Sequence, residues 1–560
     1  MSQEILDKLK FLYHDEANEI YIKLMDLIKK YKISDEDINL TEKDIILITY
    51  GDSIQKKGEK SLQTLHNFLN KHVKGIINTV HILPFFPYSS DDGFSVIDYK
   101  MVNPNLGTWK DIESLSKDYN LMFDAVINHI SKESAWFKEY LKGNQKYKDY
   151  FIEQTPVEEL KIVTRPRALP LLHIYDTANG KKHIWTTFSE DQIDLNYKSK
   201  DVFLEIVEIL LFYAKRGAKL IRLDAIGYLW KEIGTSCIHL EQTHKMIQLF
   251  RDILNLTAKN VILITETNVP HKENISYFGN GYNEAQMVYN FSLPPLVLHS
   301  FLSKNAYYIS HWADKLETPS DKTTFFNFLA SHDGIGLMPA KGILKDEEID
   351  YLVTHTLKNN GLVSYKSNPD GSKSPYELNI NYFDALYEES EDMELNIRKF
   401  VSAYAIASSL KGVPGIYIHS LLGSRNYYEG VKISGINRSI NREKLNFDTL
   451  ENELTDKKSF RYKIFNSMKN MLSIRINQKA FNPKGNQKIL FLDNRIFSFI
   501  REYENERILV ITNVSNEKFV INVKNIYSEK PKDLLSNKLI NAESGHLIIE
   551  VLPYETLWIK

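Results

Sequence analysis

Short apolar runs recur along this chain, each closed by a polar or charged residue and separated by segments with helical spacing. The clearest is Leu220-Ile-Arg-Leu-Asp224, which follows a helix-like stretch (Val202, Ile206, Ile209, Leu210, Tyr213) with Gly217 as its C-cap. Similar runs lie at 45–50, 77–83, 121–128, 261–266, 286–290, 325–330 and 413–418. Eight apolar strands alternating mostly with helices predict an α/β fold, a closed (β/α)8 TIM barrel. Residues 5–31 place Ile5, Leu9, Leu12, Ile20, Leu24, Leu27 and Ile28 at three- and four-residue steps, the pattern of a helix or helical pair outside the barrel. Beyond about residue 455 the strands become short and turn-punctuated, which predicts a small antiparallel β domain.

The expected organisation is a helical extension over 1–40, the barrel over 41–455 and the β domain over 456–560. Two connections are too long for plain barrel loops, about 132–200 after the third strand and about 334–400 after the seventh. The second contains a Gly/Ser/Asn/Pro-rich turn region at 367–375. Insertions on the catalytic face shape sites.

Charge then locates the chemistry. Buried charges are costly unless paired or used. Arg222 with Asp224 on a single strand would be an ordinary structural pair. Asp224, Glu266 and Asp333 at the ends of three different apolar strands are hard to explain by stability, and a barrel site sits at those ends. Asp124, Asn128, His129 and His332 fall there too. Retaining glycosidic chemistry needs a nucleophilic carboxylate and a nearby acid/base carboxyl. Arg222 should hold Asp224 ionised as nucleophile. Glu266, ending an apolar strand, suits proton donation, and Asp333 suits stabilisation of an oxocarbenium-like transition state. No resident metal or cofactor is expected.

Composition narrows the partners. The chain has 560 residues, 43% hydrophobic and 25% charged, with a net charge of −2. That balance gives no reason to expect nucleic acid or an anionic membrane. Cys237 is the sole cysteine, so no internal disulfide is possible, and the N-terminus lacks a signal-peptide pattern. A cytoplasmic protein is expected, with a homodimer possible.

Four segments also carry a family resemblance. Asp124-Ala-Val-Ile-Asn-His129, Arg222-Leu-Asp224, Glu266 and His332-Asp333 resemble, in order, the characteristic segments of the α-amylase superfamily, glycoside hydrolase family 13. His81-Ile-Leu-Pro-Phe-Phe86, Asp92-Gly-Phe94, Arg165-Pro-Arg167 and Tyr382-Phe-Asp-Ala-Leu386 extend the likeness to the sucrose phosphorylase branch. The resemblance implies double displacement through Asp224, with inorganic phosphate as co-substrate and α-glucose 1-phosphate as product. It implies sugar contacts from Asp91, Phe94, His129, Arg222, His332 and an arginine of Asn437-Arg-Ser-Ile-Asn-Arg442, with Arg442 favoured over Arg438. Arg167 is implied at the phosphate or acceptor.

Asn268 and the Tyr376-Glu377 pair depart from the sucrose enzymes and resemble the glucosylglycerate phosphorylase group. So does the stretch 234–244, where Thr235, Ser236, Gln242 and His244 are candidate donors to an anionic acceptor. The expected reaction is phosphorolysis of glucosylglycerate, with sucrose or sucrose 6-phosphate as the alternative substrate. A hydrolase or transglucosidase would lack phosphate dependence. A dead binding module would be expected to have lost one of Asp224, Glu266 and Asp333.

Overall fold

A computed structural model describes residues 2–37, 39–368, 372–528 and 530–560. Eight parallel strands close into a barrel: β1 (Ile46–Thr49), β2 (Thr79–Ile82), β3 (Asn120–Ala125), β4 (Ala218–Leu223), β5 (Ile262–Thr265), β6 (Met287–Tyr289), β7 (Thr324–Phe328) and β8 (Val413–Tyr417). Each pairs with its neighbours in sequence. The ring shuts where Ile46 faces Thr79 on one side and Gly415 on the other. Continuous apolar runs suit strands buried on both faces. Gly415 is required at this seam: a Cβ there would lie 2.4 Å from the ring of Phe326.

Most strands are shorter than their apolar runs, and at two of them the difference places site residues. β3 stops at Ala125 and not at Asn128, because His129–Ser131 leaves the barrel to pair antiparallel with Gln192–Asp194 of the first insert. Tyr99 fixes this bend by donating its hydroxyl to the carbonyls of Val126 and His129. β7 ends at Phe328, so His332 and Asp333 stand on the loop beyond it.

The N-terminal residues form two helices, α1 (Ser2–Tyr13) and α2 (Ala17–Lys30). Their apolar stripe, Ile5, Leu9, Ile20 and Leu24, is fully buried and continuous with the main core. Lys8 Nζ lies 2.5 Å from Asp252, and the Tyr13 hydroxyl donates to the Tyr197 carbonyl at 3.0 Å.

The first insert carries the hairpin Leu172–Thr177 with Gly180–Trp185. The second carries the hairpin Leu362–Ser367 with Lys373–Asn379, which flanks the predicted turn region; residues 369–371 of that region lie outside the described residues.

Two boundaries differ from the sequence expectation. The helix Met393–Ser409, capped by Asp392, buries Phe400, Tyr404 and Ile406 in the barrel core, so the second insert ends before 393 and not at 400. The helix Phe460–Arg475 buries Ile464, Phe465, Met468 and Leu472 in that same core. The strands of the β domain begin only at Asn486, past the boundary expected at 456. It comprises a four-stranded sheet and a three-stranded sheet, both antiparallel, around a separate apolar cluster including Leu509, Ile511, Leu547 and Ile549. Among the described residues, no helix is long and apolar enough to cross a membrane.

Candidate active site

At the C-terminal mouth of the barrel lies a cavity of about 690 Å³. Its floor holds Asp224 and Glu266, each one residue past the end of its strand, with Asp333 on the β7 loop. Arg222, fully buried in β4, organises the floor. Its Nη1 donates to Asp224 Oδ1 at 2.7 Å and also to Asp124, and its Nη2 lies 3.8 Å from Glu266 Oε2. The rings of Phe94 and Tyr289 lie 5.6 and 5.4 Å from the guanidinium. A cation sandwiched by aromatics and pinned by carboxylates cannot swing away.

The three carboxylates are electrostatically distinct. Glu266 is pushed up to about 7 by burial, against the pull of Arg222 and with the repulsion of Asp224 and Asp333. Its Oε2 also accepts from the Ala225 amide at 3.0 Å. Asp333 is held well below the usual carboxylate range: burial opposes this, but Arg438, 2.6 Å away, His332 and Arg442 outweigh it. Asp224 departs from expectation. The Arg222 pair forms, yet burial raises the Asp224 carboxyl overall; the charge of Asp124 pushes the same way and the pull of Arg222 does not offset them. A carboxyl poised near neutrality beside a strongly acidic one is the arrangement that separates proton donation from charge stabilisation.

Of the other predicted sugar contacts, Asp91, Phe94, His129 and His332 line the cavity. Phe94 stacks on His332 with centroids 4.7 Å apart and planes 3° from parallel. Burial pushes His332 down to about 3 and also lowers His129, so both imidazoles are neutral and can donate or accept. Asp91 and Asp92 both adopt left-handed backbone (φ 54° and 49°). Consecutive non-glycine residues there are strained, as at many functional sites. The result sends the two carboxylates to different arginines: Asp91 to Arg167 Nη2 at 2.7 Å, Asp92 to Arg442 Nη1 at 2.5 Å.

That division corrects the arginine assignment. Arg438 lines the cavity, whereas Arg442 lies behind it, held by Asp92 and the His332 carbonyl. Arg438 bridges the floor to the second insert, reaching Asp333 and, at 3.1 Å, Glu377. Tyr376 and Glu377 do line the cavity, with Glu377 further tied by the Gly334 amide. Arg167 enters from the first insert, 5.7 Å over the ring of Phe188.

The stretch 234–244 is a second correction, since none of its four candidate donors reaches the cavity. Thr235 caps its own turn by donating to the Glu232 carbonyl at 2.7 Å, and the Ser236 carbonyl accepts from the Thr164 amide. His244 pairs with Glu284 at 2.8 Å, and Gln242 sits in the first turn of the helix Glu241–Thr257. Several wall residues carried no sequence signal of their own. Phe188 and Gln192 come from the first insert, and Gln192 joins Asp91, the Phe94 carbonyl and His129 in one network. Asn268, noted only as a departure, also lines the wall, with its Oδ1 buried and unpartnered among the described residues. No group of three or more His, Cys, Asp or Glu arranged to hold a metal ion occurs among the described residues.

Residues 71–345 match the model for the alpha amylase catalytic domain, and residues 488–558 match that for the maltogenic amylase C-terminal domain. The glucosylglycerate phosphorylase of Spirochaeta thermophila is 48% identical over 93% of this chain and 90% of its own. That of Allomeiothermus silvanus is 45% identical over 100% of this chain and 98% of its own. The chain belongs to the α-amylase family. Among solved structures, the sucrose 6F-phosphate phosphorylase from Thermoanaerobacter thermosaccharolyticum shares the fold, with a TM-score of 0.76 at 24% identity, covering 93% of this chain and 100% of that one. The two matched regions fall, in order, on the barrel and on the C-terminal β domain.

Proposed function

We infer that this protein is a retaining glycoside phosphorylase, a glucosyltransferase that converts 2-O-α-D-glucosyl-D-glycerate and phosphate to α-D-glucose 1-phosphate and D-glycerate, reversibly. The observation that carries the inference is identity of 45–48% with two glucosylglycerate phosphorylases over at least nine tenths of both chains. The sucrose-type structure shares the fold at half that identity.

The site supplies the parts. Asp224 attacks the anomeric carbon while Glu266, protonated near neutral pH, donates to the departing glycerate oxygen. Asp333, held anionic by Arg438, faces the positive charge that develops on the sugar ring. A covalent β-glucosyl-enzyme results. Phosphate then attacks the same carbon and breaks its bond to Asp224, which leaves as a free carboxylate, while Glu266, now ionised, takes the proton of the phosphate. Phosphate and glycerate are both anions, while the cavity lining contains Asp91, Asp224, Glu266, Asp333 and Glu377. Arg167 and Arg438, both in that lining, offset the repulsion and present the forked donors that suit phosphate and carboxylate.

The test runs the reaction in reverse. Purified protein with α-glucose 1-phosphate receives D-glycerate, fructose, fructose 6-phosphate or glycerol, and phosphate release is followed. Fast release with D-glycerate alone is expected. Release with fructose or its phosphate would move the acceptor to the sucrose type. Equal release with no acceptor would make the protein a hydrolase.

A further inference from the structure

One buried ionisable side chain beneath the floor has no part in the chemistry described so far. His81, in the middle of β2, is fully buried, and its Nε2 lies 2.6 Å from Oδ2 of the equally buried Asp124. The other oxygen of Asp124 accepts from Arg222 Nη1, and that same nitrogen donates to the nucleophile Asp224. Asp124 and Asp224 thus share one guanidinium nitrogen, each taking one of its two N–H groups, and the charge of Asp124 opposes ionisation of Asp224. The Nδ1 of His81 is buried without a hydrogen-bond partner. A proton on Nε2 alone satisfies this geometry, because a second N–H at Nδ1 would be buried and unpaired.

We propose that His81 is a positioning residue for the reaction: by donating to Asp124 it limits that carboxylate's claim on Arg222 and leaves the guanidinium to hold Asp224 as the attacking anion. The inference rests on Asp224 being the nucleophile of the retaining reaction. The groups that set the charge on Asp224 come from three elements. Arg222 shares its strand, Asp124 and His129 approach from β3 and the segment after it, and Glu266 stands at the end of β5. Asp124 itself faces His81, Arg222 and His332. His81 touches this set from outside the cavity lining.

The experiment measures the acid limb of kcat/KM with α-glucose 1-phosphate and D-glycerate for wild type, H81L, H81Q, D124N and the H81L/D124N double variant. In H81L the unpaired Asp124 draws Arg222 toward itself, Asp224 loses positive charge, and the limb moves up by about one pH unit, a loss of about ten-fold in kcat/KM below it. The amide of H81Q reaches the Nε2 position and returns the limb most of the way. D124N leaves Arg222 undivided and moves the limb down. If His81 acts through Asp124, adding H81L to D124N moves it no further. A lower melting temperature with an unmoved limb in H81L would reduce His81 to packing, and an equal shift in both backgrounds would overturn the route through Asp124. Should H81L fail to fold alone, the double variant, which buries no uncompensated carboxylate, decides by comparison with D124N. Wild-type turnover tests the phosphorylase reading; only the displacement of the limb tests His81.

Discussion

The two halves of the cavity are built differently. Arg222 lies within its strand, Asp224 and Glu266 each stand one residue past theirs, and hydrogen bonding around the closed ring fixes all three backbones. The opposite half hangs from inserts: Arg167 and Leu169 from the first, Tyr365, Tyr376 and Glu377 from the second, with Ile436 and Arg438 after β8. Leu169, Tyr365 and Ile436 remain 41–46% exposed, while Arg222 is 2% exposed. The strand-built half has the rigidity that bond-breaking geometry demands. The insert-built half has the freedom to be re-cut for a different acceptor. Mutations in the first should abolish turnover with any acceptor, and mutations in the second should change which acceptor is used.

The most severe break is D224N. It retains shape and removes the nucleophile, so kcat should fall by at least about 10⁴-fold with every acceptor while the circular dichroism spectrum is unchanged. Loss restricted to glycerate would place Asp224 on the acceptor side and undo the division.

Next in size is E266Q, with an expected loss of about 10²–10⁴-fold. Because Glu266 must be protonated to expel glycerate and sits at about 7, kcat/KM for phosphorolysis should decline as pH rises through that value. The same residue makes a stability prediction. Its carboxyl ionises in the unfolded chain at about 4.3, well before it does in the folded one. As pH rises between those values the unfolded state sheds its proton first and native stability is lost, with the full penalty present above the folded value. Glutamine escapes that penalty. E266Q should melt higher than wild type at pH 8, by about 1 °C or more, and the difference should vanish near pH 4. An unchanged melting profile at both pH values would mean that Glu266 is not held protonated by burial.

What could be read from the chain divides along the same line. The barrel was legible because strands buried on both faces are unbroken apolar runs, and a charge at the end of such a run, as in Leu223-Asp224 or Thr265-Glu266, has no bland place to go. The inserts were not. Arg438 and Arg442 sit in near-identical Asn-Arg contexts, and their positions are set by partners distant in sequence: Asp333 and Glu377 for Arg438, Asp92 and the His332 carbonyl for Arg442. The helix Phe460–Arg475 carries Arg461, Lys463, Lys469 and Arg475 among its apolar positions, which blurs the core-facing stripe and misplaced the domain boundary. Phe188 and Gln192 reach the wall only because Gln192–Asp194 pairs with His129–Ser131, a long-range contact with no local signature.

A milder prediction concerns the wall of the acceptor half. Asn268 is held by close packing, since a Cβ on Gly336 would lie 2.6 Å from its Oδ1. That oxygen is buried without a protein partner among the described residues, on a side chain that lines the cavity wall. N268A should raise KM for D-glycerate by about ten-fold, the worth of one hydrogen bond to a buried group. Hydrolysis of α-glucose 1-phosphate without acceptor should stay within about two-fold of wild type. Equal damage to both reactions would show that Asn268 serves the glucose half.

The smallest effect is expected where the sequence most suggested acceptor chemistry. Thr235 and His244 are polar and close in sequence, yet Thr235 is spent on the Glu232 carbonyl and His244 on Glu284 and the face of Tyr277. Neither lines the cavity. Donors already engaged in a turn and an ion pair have little left to offer a ligand, and breaking them loosens the fold locally by about 1 kcal/mol. T235A and H244A should therefore lower the melting temperature slightly and leave KM for D-glycerate within about two-fold of wild type. A ten-fold rise in KM in either variant, with stability unchanged, would bring the 234–244 stretch into the site. The acceptor half would then extend beyond the inserts to the loop that follows β4, and the clean separation between the two halves would fail at that loop.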